Sequence, residues 1–322
     1  MCGFEPHLGH QVIAIRIRSS RKRVRIFFFE RPAGARIRPR PETEGWLMKQ
    51  ELIEVQKHYD SDPLQEWNRL QKEHPYEKYI TVKVMERYIR PNDSILDVGG
   101  GPGHYSIHFS RIGHEVTLVD LASKNVEFAK RKARQYRTHV RAQQGNALDL
   151  SRFEDASFDA VFLMGPLYHL LDEDDRRRAL GEARRVLKPG GCLFASFILM
   201  YGGVIYGLRQ FRKAILIPEE KQYFDVVLQN RSLAFDAFTQ SYMTTVKDAK
   251  ALFAERGGWS IETVFSQEGV LAPYKDLLAK APRKERMAWY EFGYRICENE
   301  DYLSHGEHLM VVARKQANGD AG

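Results

Sequence analysis

The stretch SILDVGGGPGHYSIHF, Ser94 to Phe109, constrains the fold more than any other part of the chain. A short apolar run is followed by five residues holding four glycines, and then by a helical pattern. A backbone passing from strand to helix through such a run must turn tightly, and glycine does so without a Cβ in the way. The loop also aims the free N–H groups of a helix start at whatever lies above it. Phosphate and phosphate-free ligands both satisfy that description, so the loop predicts a ligand without naming it.

The surrounding pattern supplies the fold. SILDVG, HEVTLVD, THVRAQQGNA, SFDAVFLMG and GCLFASFIL read as five strands, each separated from the next by helix or loop. HYSIHFSRIG, SKNVEFAKRKARQY and DEDDRRRALGEARRVLKPGG read as helices, the last acidic at its start and basic at its end as the helix dipole favours. Alternation of this kind predicts βαβ units and a parallel sheet. Upstream, Leu47, Leu52, Val55 and Tyr59 share one helical face, Asp62–Pro63 is a cap pair, and Pro91 stops the helices. Downstream, Tyr201 to Met243 breaks the rhythm and is rich in aromatics. WSIETVFSQ and GEHLMVVARK then predict a sixth and a seventh strand around an inserted helical pair at 270–300.

Composition excludes several classes. The net charge of +7 suggests nucleic acid, but ten basic and four acidic residues in 1–47 account for +6 of it. The body is nearly neutral, which gives no support to phosphate-backbone binding. Residues 1–47 are read as a poorly ordered or artefactual leader, in which VIAIRIR and RVRIFFF have the pattern of a hairpin. A basic arm for nucleic acid is the alternative. Three scattered cysteines, Cys2, Cys192 and Cys297, offer neither a disulfide framework nor a zinc site, so no metal is expected. No apolar run is long enough to span a bilayer, so no membrane partner is expected and a cytoplasmic location is.

The loop fails the dinucleotide fingerprint, because His104 stands where the third glycine of GxGxxG would fall. Its pattern is D-x-G-x-G-x-G from Asp97. Asp120 follows Gly101 by 19 residues, at the tip of the second strand. QQGNALDL, FDAVFLMGPLYHLL, RRVLKPGG and EHLMVVARK complete a set of ordered features. Together they resemble the class I S-adenosylmethionine-dependent methyltransferases, of the small-molecule type with a lid, over roughly Tyr59 to Lys315.

The resemblance implies a Rossmann-like, doubly wound α/β fold: a seven-stranded, mostly parallel sheet with an antiparallel last strand, N-terminal helices and a helical lid. It implies a leader at 1–47, a helical gate at 48–92, a cofactor-binding core at 93–200, a lid at 201–245, the rest of the catalytic domain at 246–315 and a tail at 316–322. The implied cofactor is S-adenosyl-L-methionine. Gly99, Gly101 and Gly103 would hold its amino acid end, with Asp97 near the ammonium or ordering the loop. Asp120 would bind the ribose and Leu121 would pack on the adenine. Asn146 and Ala147 would cap the adenine edge, where Asn departs from the commoner Asp. Met164 and Gly165 would border the transfer site.

The acceptor is expected to be a small molecule attacked through O, N or C, since the N/D-P-P-Y motif of amino-methyltransferases is replaced by MGPLYHLL. An RNA-modifying enzyme using the leader, or a non-catalytic binder of the cofactor, are the alternatives. His169 is the candidate base, with Tyr168 as a hydrogen-bonding or stacking wall; the competing reading makes His169 structural. The lid aromatics either build the acceptor pocket or form the lid's own core. Tyr59 and Trp67 belong to the gate, and the run Asp172 to Arg178 is read as a solvated helix start.

Overall fold

The computed structural model describes residues 15–18, 23–26, 49–236, 240–254 and 258–316. Its strands are β1 (Ile15–Arg18), β2 (Arg23–Ile26), β3 (Ser94–Val98), β4 (Glu115–Asp120), β5 (Val140–Gln144), β6 (Phe158–Leu163), β7 (Leu187–Leu199), β8 (Leu233–Asp236), β9 (Gln240–Thr244), β10 (Trp259–Ser266) and β11 (His308–Lys315). β1 and β2 pair antiparallel, as the hairpin reading has it, and the rest of the leader lies outside the described residues.

The core sheet runs β5-β4-β3-β6-β7, all parallel. β11 inserts antiparallel between β7 and β10. These seven strands are the mostly parallel sheet that the sequence pattern predicts, with one reversed strand, but the sheet does not stop there: β9, β8, β2 and β1 extend it beyond the end of β7 to eleven strands. Ile95, Leu96, Val161 and Phe162 are fully buried because helices cover both faces, which explains the continuous apolar runs of these strands. One core, around Ile80, Phe109, Phe162, Phe194 and Tyr290, sits under the helices Pro75–Met85 and Arg283–Ile296. The other, around Leu96, Val161, Leu180 and Phe253, sits under the helices Glu173–Val186 and Val246–Ala254.

Local chemistry fixes the helix ends. Asp62 accepts from the Gln65 N–H at 3.0 Å and Pro63 opens the short helix Pro63–Asn68. Residues Arg69–Glu73 then widen into a π-turn before the next helix. Asp172 caps Glu173–Val186, but the run after it is not simply solvated. Arg176 is buried: its Nη1 donates to the carbonyls of Leu170 and Leu171, and its guanidinium lies 3.6 Å from the centre of the Tyr242 ring. Lys49 pairs with Asp175. The sequence reading of this segment is corrected accordingly: three carbonyl and π partners replace the water that a buried cation would otherwise lack.

The segment after Leu199 contains more than helices. Met200–Gln210 and Pro218–Leu228 are followed by β8 and β9, and β9 pairs parallel with Ile198 and Leu199 at the end of β7. Tyr223, Val226, Leu233 and Met243 pack with Ile198 and Met200 into a small separate core. Tyr201, Tyr206 and Phe211 face outward. Phe238 and the Phe235 side chain lie outside what is described.

Candidate active site

Three glycines of the loop have positive φ: Gly99 (75°), Gly101 (55°) and Gly103 (91°). At Gly99 a Cβ would meet the Pro166 ring at 2.6 Å, so this glycine lets the loop close on the segment after β6. At Gly101 the nearest atom to such a Cβ is Asn125 Nδ2 at 4.0 Å. That position faces open space, and its strain is purely conformational.

Asp97 lies beneath the loop, buried, and accepts from Ser106 Oγ at 2.6 Å. Burial, helped by the nearby Asp120, pushes its carboxyl up to about 7. Asp120 ties the loop to the next turn. One oxygen accepts from the Gly101 N–H at 2.7 Å; the other accepts from the Ala122 N–H at 2.9 Å and Asn125 Nδ2 at 3.2 Å. Burial outweighs these donors and raises its carboxyl to about 6. Asn125 Oδ1, beside it, is buried and has no hydrogen-bond partner among the described residues. Buried oxygens are rarely left so, and this one lies in a residue that lines the cavity.

Leu121, Asn146, Ala147 and Met164 also line that cavity. Asn146 Oδ1 accepts from the Leu148 N–H at 3.0 Å, which shapes the turn after β5 and uses one of the oxygen's two lone pairs. Gly103 caps the helix His104–Arg111 from below. Where the family implies S-adenosylmethionine, the residues fit it: an open glycine, an orphaned carboxamide oxygen and a carboxylate at a strand tip surround one space. That space measures about 1090 Å³ with its open mouth included.

The cavity continues past the loop. Tyr168 and His169 follow Gly165 on the short turn Pro166–His169. His169 Nε2 lies 2.9 Å from the Tyr59 hydroxyl, and Nδ1 lies 3.4 Å from the Gln240 carbonyl. The carbonyl can only accept, so Nδ1 carries the proton and Nε2 accepts from Tyr59. Burial pushes the imidazole down to about 4, which keeps it neutral. The helix Gln50–Ser61 is thereby latched to the turn after β6 and to β9. Trp67 stacks on His104, ring centres 3.9 Å apart, and is buried rather than swinging over the opening.

Beyond Tyr168 the walls become charged. Arg69 donates to both oxygens of Glu77, at 2.7 and 3.3 Å, and to Glu66 at 2.9 Å. Against the cost of its burial, Arg69 holds Glu77 down to about 2. Ser196 Oγ donates to Gln267 Oε1, and Gln267 Nε2 donates to Thr81. His308, at the start of β11, bonds Glu268 through Nδ1 at 2.6 Å. Sequence reading named none of these residues. They come from a π-turn, a helix, the middle of β7, the exit of β10 and the start of β11, and no motif joins them. The one signal present was the polar run SQEG after an apolar strand. Among the described residues, no aromatic of the 201–245 segment lines the cavity; Tyr223 and Phe224 serve the segment's own core, Tyr242 lies on Arg176, and Tyr201, Tyr206 and Phe211 face outward.

Comparison with known proteins supports the family. Residues 95–191 match the model of a methyltransferase domain. The chain carries a class I S-adenosylmethionine-dependent methyltransferase domain. Curated relatives include a tRNA 5-carboxymethoxyuridine methyltransferase of Escherichia coli, 27% identical over 70% of this chain and 81% of that protein. A ubiquinone biosynthesis O-methyltransferase of Xanthomonas campestris is 36% identical over 35% of this chain, but the match spans only 46% of the relative. Among solved structures, the 1,6-didemethyltoxoflavin-N1-methyltransferase of Burkholderia thailandensis superposes with a TM-score of 0.54. It is 14% identical and covers 94% of this chain and 99% of its own, which shows the shared fold. The domain's cofactor is S-adenosylmethionine. Among the described residues, no helix is long and apolar enough to cross a membrane.

Proposed function

We propose that this protein transfers the methyl group of S-adenosylmethionine to a small molecule held in the polar chamber beyond Tyr168. The observation that carries this reading is the continuity of one cavity. It runs from Gly101, Asp120 and Asn125 at one end to Arg69, Glu77, Ser196, Gln267 and His308 at the other. Gly99, Gly101 and Gly103 shape the cradle for the amino acid end, with Asp97 beneath. Asp120 and Asn125 face the ribose, and Leu121, Asn146 and Ala147 face the adenine. Met164 borders the methyl-transfer point.

When bound, the cofactor supplies an electrophilic methyl on a sulfonium. The chain's own task is to align the acceptor in line with that methyl and exclude water. Arg69 and Glu77 are suited to the first, as a rigid bidentate pair in a low-dielectric wall. The helix Gln50–Ser61 is suited to the second. His169 acts on it as a positioning residue, holding Tyr59 across the opening.

Labelled-methyl transfer into a cell extract, followed by mass spectrometry, tests the proposal. A labelled small metabolite supports it. Label in RNA, the substrate class of the E. coli relative, would overturn it in favour of an RNA-modifying enzyme. Cofactor binding with no label in either pool would leave a non-catalytic binder.

A further inference from the structure

The charged end of the cavity contains one arrangement whose chemistry differs from simple ion pairing. Glu268 is fully buried after β10, and one oxygen accepts the backbone N–H groups of Glu307 and His308 at 3.1 and 2.9 Å. Its other oxygen takes His308 Nδ1. The carboxylate is thus fixed by the backbone and fixes the imidazole in turn. With Nδ1 committed, Nε2 is the ring's remaining nitrogen, and the ring lines the cavity. Tyr168, three residues after Gly165, has its ring centre 6.4 Å from that of His308. The dyad therefore stands on the acceptor side of the transfer point. His169 is differently placed, since its own Nε2 already accepts from Tyr59.

We propose that Glu268 and His308 form a carboxylate–imidazole base that removes the proton from a phenol- or enol-type hydroxyl of the acceptor as that oxygen is methylated. This rests on the methyl-transfer reading above. In the step, His308 Nε2 takes the hydroxyl proton and the acceptor oxygen forms the new bond to the methyl carbon. The carbon–sulfur bond breaks with its electron pair left on sulfur. The positive charge lost by the sulfonium reappears on the imidazolium, facing the Glu268 carboxylate, and the proton later leaves to water. Nδ1 keeps its proton throughout, as the carboxylate partner dictates.

The surroundings support a weakly acidic hydroxyl. The groups that face His308 are Glu268 from the β10 exit, Glu77 from the helix Pro75–Met85, Arg69 from the π-turn, His74 and Glu307. Burial and Arg69 work against the protonated ring; Glu268 and Glu77 outweigh them and raise it to about 9. A phenol ionises near 10, so proton transfer between the two is close to balanced, where a base is most effective. An aliphatic alcohol is a far weaker acid, and an amine attacks as its neutral form without a base.

Full-length wild type, His308→Gln and Glu268→Gln test the proposal. Calorimetry with S-adenosylhomocysteine comes first. All three proteins should bind it within about threefold, which shows that they are folded; failure of the wild type to bind would defeat the methyl-transfer reading itself. The substrate is then the extract fraction that accepts label. His308→Gln should lower kcat by roughly 100-fold or more with KM little changed. The wild-type rate should rise with pH up to about 9, as the free base appears, and Glu268→Gln should move that rise to lower pH. Independently of activity, nitrogen-15 spectra of labelled histidine, taken at a pH above about 9 where the ring is neutral, should show His308 protonated at Nδ1 in wild type. In Glu268→Gln the tautomer should switch to Nε2–H, because the amide donates where the carboxylate accepted. A His308→Gln protein with wild-type kcat would overturn the proposal, as would label on nitrogen in the product. So would a rate abolished by EDTA and restored by Mn²⁺ or Zn²⁺, which would make Glu77, Glu268 and His308 ligands of a metal.

Discussion

The two ends of the cavity are built on opposite principles. The cofactor end is made by backbone: four glycines, the tips of β3 and β4 and two carboxylates that organise N–H groups, nearly all within 97–125. The acceptor end is made by side chains from five separated segments, paired in buried charge–charge contacts. A backbone cradle can be written as a short motif. A charged chamber exists only after the helices and strands that bear it have packed. The difference also predicts how each end fails.

The largest effect should come from the chamber. Arg69→Met leaves Glu77 buried and unpaired, and should cost roughly 3–5 kcal/mol in chemical denaturation. A cost under 1 kcal/mol would mean that the pair is solvated and the two ends less different than drawn. Next is the pH response of the loop. The native Asp97 carboxyl titrates near 7, above the unfolded value near 4, so folded protein keeps a proton that the unfolded chain has already lost. Stability should therefore fall as pH rises through this window, and Asp97→Asn should remove on the order of 2 kcal/mol of that loss. Thermal melts at pH 4.5 and 8 check it; parallel curves for the two proteins would show that Asp97 is not desolvated.

Asp120→Ala removes the acceptor that holds the Gly101 N–H and the carboxylate proposed to face the ribose. Calorimetry should show cofactor affinity reduced by at least about tenfold, with smaller change in global stability. A collapse of stability with unchanged affinity would reverse the roles assigned to the two ends. The smallest effect is at their junction. Tyr59→Phe removes one hydrogen bond to His169 and should cost about 1 kcal/mol, read as faster hydrogen exchange in the helix Gln50–Ser61. Unaltered exchange would show that the helix is held by its other contacts, buried Leu52 and Val55 and the Lys124 N–H on Asp60 among them.

Much of this was legible in advance. Asp97, Gly99, Gly101, Asp120, Leu121, Asn146, Ala147 and Met164 all reach one cavity, because a βαβ unit places consecutive strand tips side by side; Gly103 does not line it and packs toward Ala129 instead. The lid aromatics were ambiguous, since burial against a neighbour and burial against a ligand leave the same composition. Packing assigns Tyr223 to the former and sends Tyr242 to Arg176. His169 offered a plausible base by its position after β6, yet only the fold reveals Tyr59 on its Nε2.

The sequence by itself determined the sheet, the tight loop and the cofactor, because each is encoded by periodicity or by adjacent residues whose backbone geometry is local. Tertiary structure alone decided which charges line the chamber proposed for the acceptor. The Arg69–Glu77 pair, Glu268 and His308 are far apart in the chain, and the protonation of Glu77 and His308 follows from burial and from the charges beside them. Neither property exists until β10 and β11 close against β7 and the N-terminal helices cover them.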